Sequence, residues 1–278
     1  MKSLSNSTMT QKEKNGIAYL QFRRLLEYPE VKHMYVLKNG DFNFKRKNDS
    51  EQEMERLKKN YEMVCNLEGM DANRVVRPNQ NHTDFIKAVD ESILINGPAM
   101  YISGLDNVDG VMTNQKNIVL STTNADCLLL LFYDPKRKAI ANIHSGWKGT
   151  FQKIAQKAVY KMKEVYGSEP SDLLCFMTPC IGKCCFEVHD DVKELCVEKF
   201  SNKNKLQDFI TYLGEVEGKR KYTIDNVAIN HFLLQEAGLK TENIIASGIC
   251  SLCEKEQIHS RRAEGPEYGV GTVLICLK

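Results

Sequence analysis

The 278-residue sequence lacks any apolar run that could cross a bilayer: its longest strongly apolar stretch, residues 128–133, falls far short of the roughly 20 residues a spanning helix needs. Its first fifteen residues, MKSLSNSTMTQKEKN, lack the apolar centre of a secretory signal and read as a flexible polar lead-in. An excess of charge of either sign is also missing, because 38 Lys and Arg face 36 Asp and Glu for a net charge of +2. That balance argues against a dedicated nucleic-acid or membrane surface. No internal repeat and no low-complexity linker divides the chain, so residues 16–278 are expected to form a single domain with a full core. Tryptophan is nearly absent, and its one copy, Trp147, sits in the stretch IHSGWKGT (143–150).

Cysteine, by contrast, is abundant, at ten residues. Without an export signal these read as reduced thiols of a cytoplasmic protein, open to metal-binding or catalytic use. The irregular spacing contains one dense group, Cys180, Cys184 and Cys185, and one pair, Cys250 and Cys253. A C-x3-C and a C-x2-C of this kind can assemble a structural zinc site.

Periodicity predicts strands over 17–22 and 33–37, with an Asn39-Gly40 turn after the second. A helix is expected over 48–69, capped by Asp49 or Ser50 and ended by Gly69, with Met54, Leu57, Tyr61, Val64 and Leu67 on its apolar face. Two extended pieces flank Pro78, and 117–134 reads as strand, break, strand. Residues 150–167 predict a helix burying Ile154, Ala158, Met162 and Val165 and stopping at Gly167. Further helices are expected over 190–200 and 225–239, and strands over 172–182, 244–248 and 271–277. Runs of strands with helices between them give an α+β fold with mixed sheets.

One inference is local. Residues 127–133 and 138–144 flank Asp-Pro-Lys-Arg and pair as a hairpin if Pro135 takes the second turn position. That register sets Tyr133 opposite Lys138, Leu130 opposite Ala141 and Cys127 opposite His144. Opposed Cβ atoms lie about 4.5–5.5 Å apart, near enough to share a metal ion or form an ion pair. Either residue alone is at home in a core. Together at the open end of an apolar hairpin, ahead of Ser-Gly-Trp-Lys-Gly-Thr, they point to chemistry. His82, in the polar segment NQNHTD, is the candidate third ligand of a catalytic-type zinc site with one position open. His33, His189, His231 and His259 are less distinctive.

The ordered motifs NQNH (79–82), ADCLLLLFYD (125–134), IHSGWKG (143–149), PCIGKCCFEV (179–188), DNVAINHFLLQEAGL (225–239) and SRR (260–262) resemble the laccase-domain family, also called the YfiH-like or peptidoglycan-editing-factor family. The resemblance runs from about His33 to the C-terminus; over 37–48 the family's arginine and paired glycines have no match in LKNGDFNFKRKN. It implies a single α+β domain and a metal site of His82, Cys127 and His144 holding zinc, with copper as the alternative ion. It implies phosphorolysis of adenosine, inosine, guanosine or methylthioadenosine, and deamination of adenosine, with a purine nucleoside and inorganic phosphate as partners. Asp126, beside the cysteine, would orient a ligand or carry a proton. Gly146 and Gly149 admit close backbone approach, and Thr150 would open a helix whose free N–H groups attract an anion. Lys148, Arg261 and Arg262 are the candidate phosphate contacts. Trp147 reads as packing against that helix. The competing readings are a hydrolase using Cys127 as nucleophile on an amide or ester of a peptidoglycan precursor, a copper-dependent polyphenol oxidase, and a non-catalytic protein that has lost the site.

Overall fold

Residues 128–133 are apolar without alternation because both of their faces are buried. In the computed structural model, which describes residues 2–39, 42–48, 50–95, 97–100, 104–200 and 205–278, the chain runs through β1 (Met9–Lys14), β2 (Ile17–Phe22), β3 (Val31–Val36), helix α1 (Glu51–Leu67), β4 (Val75–Arg77), β5 (Ile86–Ala88), β6 (Ala99–Met100), β7 (Gly110–Thr113), β8 (Val119–Asn124), β9 (Leu128–Asp134) and β10 (Ala139–Ser145). It continues through α2 (Trp147–Phe151), α3 (Ile154–Tyr166), β11 (Leu174–Met177), β12 (Glu187–Val188), α4 (Asp190–Phe200), α5 (Leu206–Phe209), β13 (Ile210–Val216), β14 (Lys219–Ile224), α6 (Asn226–Glu236), β15 (Ile244–Ala246), α7 (Arg261–Glu264) and β16 (Gly271–Leu277). Among the described residues, no helix is long and apolar enough to cross a membrane.

Two mixed sheets pack face to face. One is ordered β1-β2-β3-β16-β8-β4-β6, the other β15-β11-β9-β10-β7-β5. Alternate residues of each strand point to opposite faces. Leu129, Leu131 and Tyr133 of β9 meet Val273 and Ile275 of β16 between the sheets. Leu128, Leu130 and Phe132 face the other way, onto Ile154, Ala158 and Met162 of α3. Leu274 and Cys276 of β16 likewise face outward onto Tyr61, Val64 and Leu67 of α1. The result is an α+β domain of four layers, helix–sheet–sheet–helix, which matches the expected class. A third sheet, β12-β14-β13, packs with α4, α5 and α6 around Phe200, Phe209 and Ile229. The sequence pattern marks CFEV (185–188) as strand-like, in line with β12, and predicts no strands over β13 and β14.

Several expectations change. The lead-in over 1–15 contains β1, paired antiparallel with β2 over its whole length. Its polar sequence reflects an edge strand that buries Met9 and leaves Glu13 and Lys14 exposed. The helix predicted over 150–167 is two helices, α2 and α3, separated at Gln152 and Lys153, where Lys153 adopts a left-handed conformation (φ 63°). Val165 is exposed because the buried face continues from Met162 to Tyr166, four residues on. Gly167 does end α3, at φ 68°. Ser50 caps α1 by accepting the Glu53 N–H; Gly40 and Asp49 lie outside the described residues.

Candidate functional site

His144 sits on the last turn-out of β10, Cys127 on the bend between β8 and β9, and His82 in the loop after β4. Their ligand atoms all lie within 4.8 Å of one another, with Cys127 Sγ 3.6 Å from His82 Nε2. The imidazole planes of His82 and His144 stand nearly perpendicular at 82°. The hairpin register that pointed to Cys127 and His144 needs correction, however. Tyr133 pairs with Ile140, Leu130 with Ile143, and His144 with Leu129, a shift of two residues from the expected pairing. The turn is longer because Asp134 accepts the N–H groups of both Lys136 and Arg137, and Lys138 takes a left-handed conformation (φ 51°). A two-residue shift keeps every side chain on its expected face. Cys127 is therefore the diagonal neighbour of His144, not its directly opposed partner, and still reaches it.

Asp109, at the entry to β7, holds this cluster together. Its fully buried carboxylate lies 2.7 Å from His144 Nδ1 through Oδ1. The same oxygen accepts the His82 backbone N–H at 3.0 Å. Its Oδ2 accepts the N–H groups of Asn81 and Thr83 and the Thr83 hydroxyl. One side chain thus fixes the ring of one histidine and the backbone of the other. That support matters because His82 has φ 59°, a conformation unfavourable for a residue with a Cβ. Burial alone would raise the Asp109 carboxyl, yet the hydrogen bond and charge of His144 hold it below the usual carboxylate range. Burial likewise opposes charge on Cys127 and His144, and their mutual attraction overcomes it. The Cys127 thiol is drawn down to about 6 by His144 and His82, and the His144 imidazole is pushed up to about 9 by Cys127 and Asp109. Gly146 completes the pocket: a Cβ there would come within 2.8 Å of His82 Cδ2, 3.2 Å of Cys127 Sγ and 3.3 Å of His144 Cε1.

The cluster opens onto a cavity of about 340 Å³ walled by Trp147, Phe186, Asn226, Asp126, Arg261 and Arg262. Asp126 adopts φ 81° and is clamped: Oδ1 accepts the Ser251 hydroxyl at 2.6 Å and Oδ2 the Arg262 N–H at 2.8 Å. The two arginines therefore reach the cavity. Lys148 does not line it; its side chain is exposed, with the ammonium 5.6 Å from the centre of the Trp147 ring. Nor does Thr150 open a helix with free donors. Its N–H donates to the Gly146 carbonyl within α2, and its hydroxyl joins a buried network with Ser145 and Asn230. Gly149 approaches the Thr83 carbonyl, where a Cβ would stand 3.2 Å away. The glycines serve the packing of His82 and its loop. Trp147 meets Phe151 edge-on at 5.5 Å, as expected of a packing residue, and also walls the cavity.

A family model described as "Multi-copper polyphenol oxidoreductase laccase" matches residues 38–278. The chain belongs to this family. It is 30% identical over 220 residues to purine nucleoside phosphorylase YlmD of Bacillus subtilis, covering 79% of this chain and 77% of that protein. It is 31% identical to adenosine deaminase RL5 from an unknown prokaryotic organism, over 72% of this chain and 74% of that one. The solved structure of the hypothetical protein YfiH from Bacillus licheniformis superimposes with a TM-score of 0.83 at 27% identity, covering 96% of this chain and 99% of the other.

Within the family span, three site residues escaped the sequence reading. Asp109 precedes Gly110, whose Cβ would collide with Ile143 and Ile86; the Asp-Gly pair was visible, but its link to residue 144 is tertiary. Phe186 stood out only as one residue of the motif PCIGKCCFEV. Asn226 follows the capping residue of α6, and its Oδ1 is buried with no partner at the cavity wall.

Proposed function

We propose that the chain is a zinc-dependent purine nucleoside phosphorylase that also deaminates adenosine, with His82, Cys127 and His144 as the metal ligands. What carries this reading is the meeting, in one cavity, of the His/Cys donor group with two aromatic walls and two guanidinium groups. The names of the Bacillus subtilis and RL5 relatives support the substrate class. The donors fit the ion: two imidazoles and one thiolate are zinc ligands, the Gly146 cradle leaves space that a Cβ would fill, and the Asp109–His144 contact is the carboxylate–histidine arrangement that orients a metal-bound imidazole. Bound there, zinc supplies Lewis acidity to an oxygen of water or substrate.

The protein's own groups account for the rest. The faces of Trp147 and Phe186 hold the purine. Asn226 Oδ1, buried and unpartnered, accepts a hydrogen bond from the nucleoside. Arg261 and Arg262 bind phosphate in forked geometry beside the ribose. A phosphate oxygen then attacks C1′ as the glycosidic bond breaks, and the base leaves with the proton that the hydrogen phosphate gives up. Asp126, with one oxygen on Ser251 and the other on the Arg262 N–H, positions Cys127 and the arginine loop. In deamination water adds at C6 of adenosine and ammonia leaves, giving inosine. Lys148 has no role in this scheme.

A second reading has its own support. The low Cys127 thiol, paired with His144 and Asp109, has the order of a cysteine–histidine–aspartate nucleophile system suited to amide or ester hydrolysis. His82, a second imidazole at 3.6 Å from Sγ, has no task in that chemistry and favours the metal. Copper-dependent polyphenol oxidation would draw on the same three donors, whereas a multicopper centre needs several more histidines.

The test is incubation of metal-loaded protein with adenosine and phosphate, following ribose 1-phosphate, adenine and inosine. Formation of these products, lost in Cys127→Ala, is expected. No product, with Cys127→Ala indistinguishable from the parent, sinks the reading; hydrolysis of an amide by metal-stripped protein turns it toward the second.

A further inference from the structure

Four of the remaining cysteines converge away from the His82 centre. Cys184 and Cys185 lie on the turn before β12, and Cys250 and Cys253 on the turn after β15. Their sulfur atoms all fall within 4.8 Å of one another, with Cys253 Sγ 3.8 Å from Cys184 Sγ and 3.6 Å from Cys185 Sγ. None forms a disulfide. Cys180, the fifth member of the group seen in the sequence, is buried and outside the cluster; an isolated backbone bridge joins it to Cys250, as Ser251 donates to the Cys180 carbonyl at 2.9 Å. Gly182 lets the two turns close: a Cβ there would stand 3.3 Å from Cys184 Sγ, and its N–H donates to Cys250 Sγ at 3.2 Å.

We propose that Cys184, Cys185, Cys250 and Cys253 bind a structural zinc ion, independent of the His82 centre. With zinc–sulfur bonds of about 2.3 Å, the edge of a tetrahedron of four thiolates is about 3.8 Å, which the Cys184–Cys253 and Cys185–Cys253 pairs already match. Zinc uptake needs no oxidant: four thiols release four protons and coordinate as thiolates. A disulfide would require any pair to approach to about 2.05 Å and would leave two thiols unused. Four protein donors close the coordination sphere, the pattern of a structural site. The ion would clamp the two loops that wall the cavity. One carries Ile181 and Phe186; the other carries Ser251, which holds Asp126, and leads on to Arg261 and Arg262.

The test is metal stoichiometry after chelator treatment and reloading with zinc, under reducing conditions. Wild type is expected to hold two ions per chain and Cys127→Ala one. Cys184→Ser/Cys253→Ser in the Cys127→Ala background should hold none. Cobalt-loaded Cys127→Ala should show intense thiolate-to-metal charge-transfer absorption that the added double substitution removes. Cys253→His, which keeps a zinc ligand, should retain the ion and controls for misfolding. The proposal is overturned if the cysteine substitutions leave the ion count unchanged, or if all four thiols of metal-loaded Cys127→Ala react freely with a thiol reagent. Because the readout is taken without Cys127, it stands apart from the fate of the nucleoside reading.

Discussion

The two thiol-bearing clusters, joined through Asp126 and Ser251, are built in opposite ways. His144 lies on a strand between two sheet neighbours and is 2% exposed; Asp109 braces it, and Gly146 is pared back to make room. That set has three donors and opens onto a cavity. The four cysteines sit on two turns, with Cys184 and Cys253 exposed and the Gly182 N–H donating to Cys250 Sγ. The lesson is that bracing and incompleteness go together where chemistry is expected, while a complete donor set on surface turns suits a staple.

That contrast is broken most severely if both clusters respond alike to loss of one thiol. Cys127→Ala is expected to lower kcat/KM for adenosine phosphorolysis by roughly 10³-fold or more, since it removes a ligand from the reacting centre. Cys253→Ser is expected to keep kcat within roughly threefold and to lower Tm by several degrees, the size of effect that about 1–2 kcal/mol gives in a chain of this length. Steady-state rates and thermal scans on the two zinc-saturated variants decide it. Asp109→Asn probes the bracing itself. Losing a supporting carboxylate costs about 10–100-fold in metal affinity or activity, so zinc competition against a chelator should weaken by that factor at one site only. An equal loss at both would show a general unfolding instead.

Arg262→Lys asks whether the shared loop serves the cavity. The backbone N–H to Asp126 survives, but the guanidinium does not. The phosphate KM should rise about tenfold, because a lysine cannot make a forked contact, while kcat changes little. A fall in kcat with KM unmoved would place the arginine away from phosphate.

The sequence revealed the layers better than the wiring. Runs such as LLLLFY and the alternating apolar stripe of α1 read directly as buried strand and amphipathic helix, because burial leaves a local pattern. The pairing of Cys127 with His144 was legible as a shared face even though the register was two residues off, since faces repeat every second residue. Asp109 was invisible because its partners lie 26 to 35 positions away. The four-cysteine group could be suspected from spacing, yet its membership was misread: Cys180 faces the core, and only folding brings residues 184 and 253 together. The break between α2 and α3 was missed because Lys153 is an ordinary helix former; the left-handed turn there is imposed by the packing of Phe151 and Ile154 into different cores.

His33 gives the same contrast between braced and unbraced groups within the sandwich. It is as buried as His144, but among the described residues the charged group that acts on it is the Lys12 ammonium rather than a carboxylate or thiolate. Its Nε2 accepts the Phe22 N–H at 2.8 Å, which requires an unprotonated nitrogen, and its Nδ1 is buried without a partner. Burial therefore pushes the imidazole down to about 3, where His144 goes up. An unfolded histidine titrates near 6.5. Between about 6.5 and 3 the unfolded chain binds a proton that the folded chain does not, so this group's contribution is present above 6.5 and is lost as pH falls through that window, by up to about 1.4 kcal/mol per pH unit. Denaturant unfolding at pH 7, 6 and 5 should show a shallower decline for His33→Gln than for wild type, even if the variant starts less stable. Parallel curves would mean that His33 takes up its proton in the folded state, and that burial without an anion does not by itself keep a histidine neutral in this core.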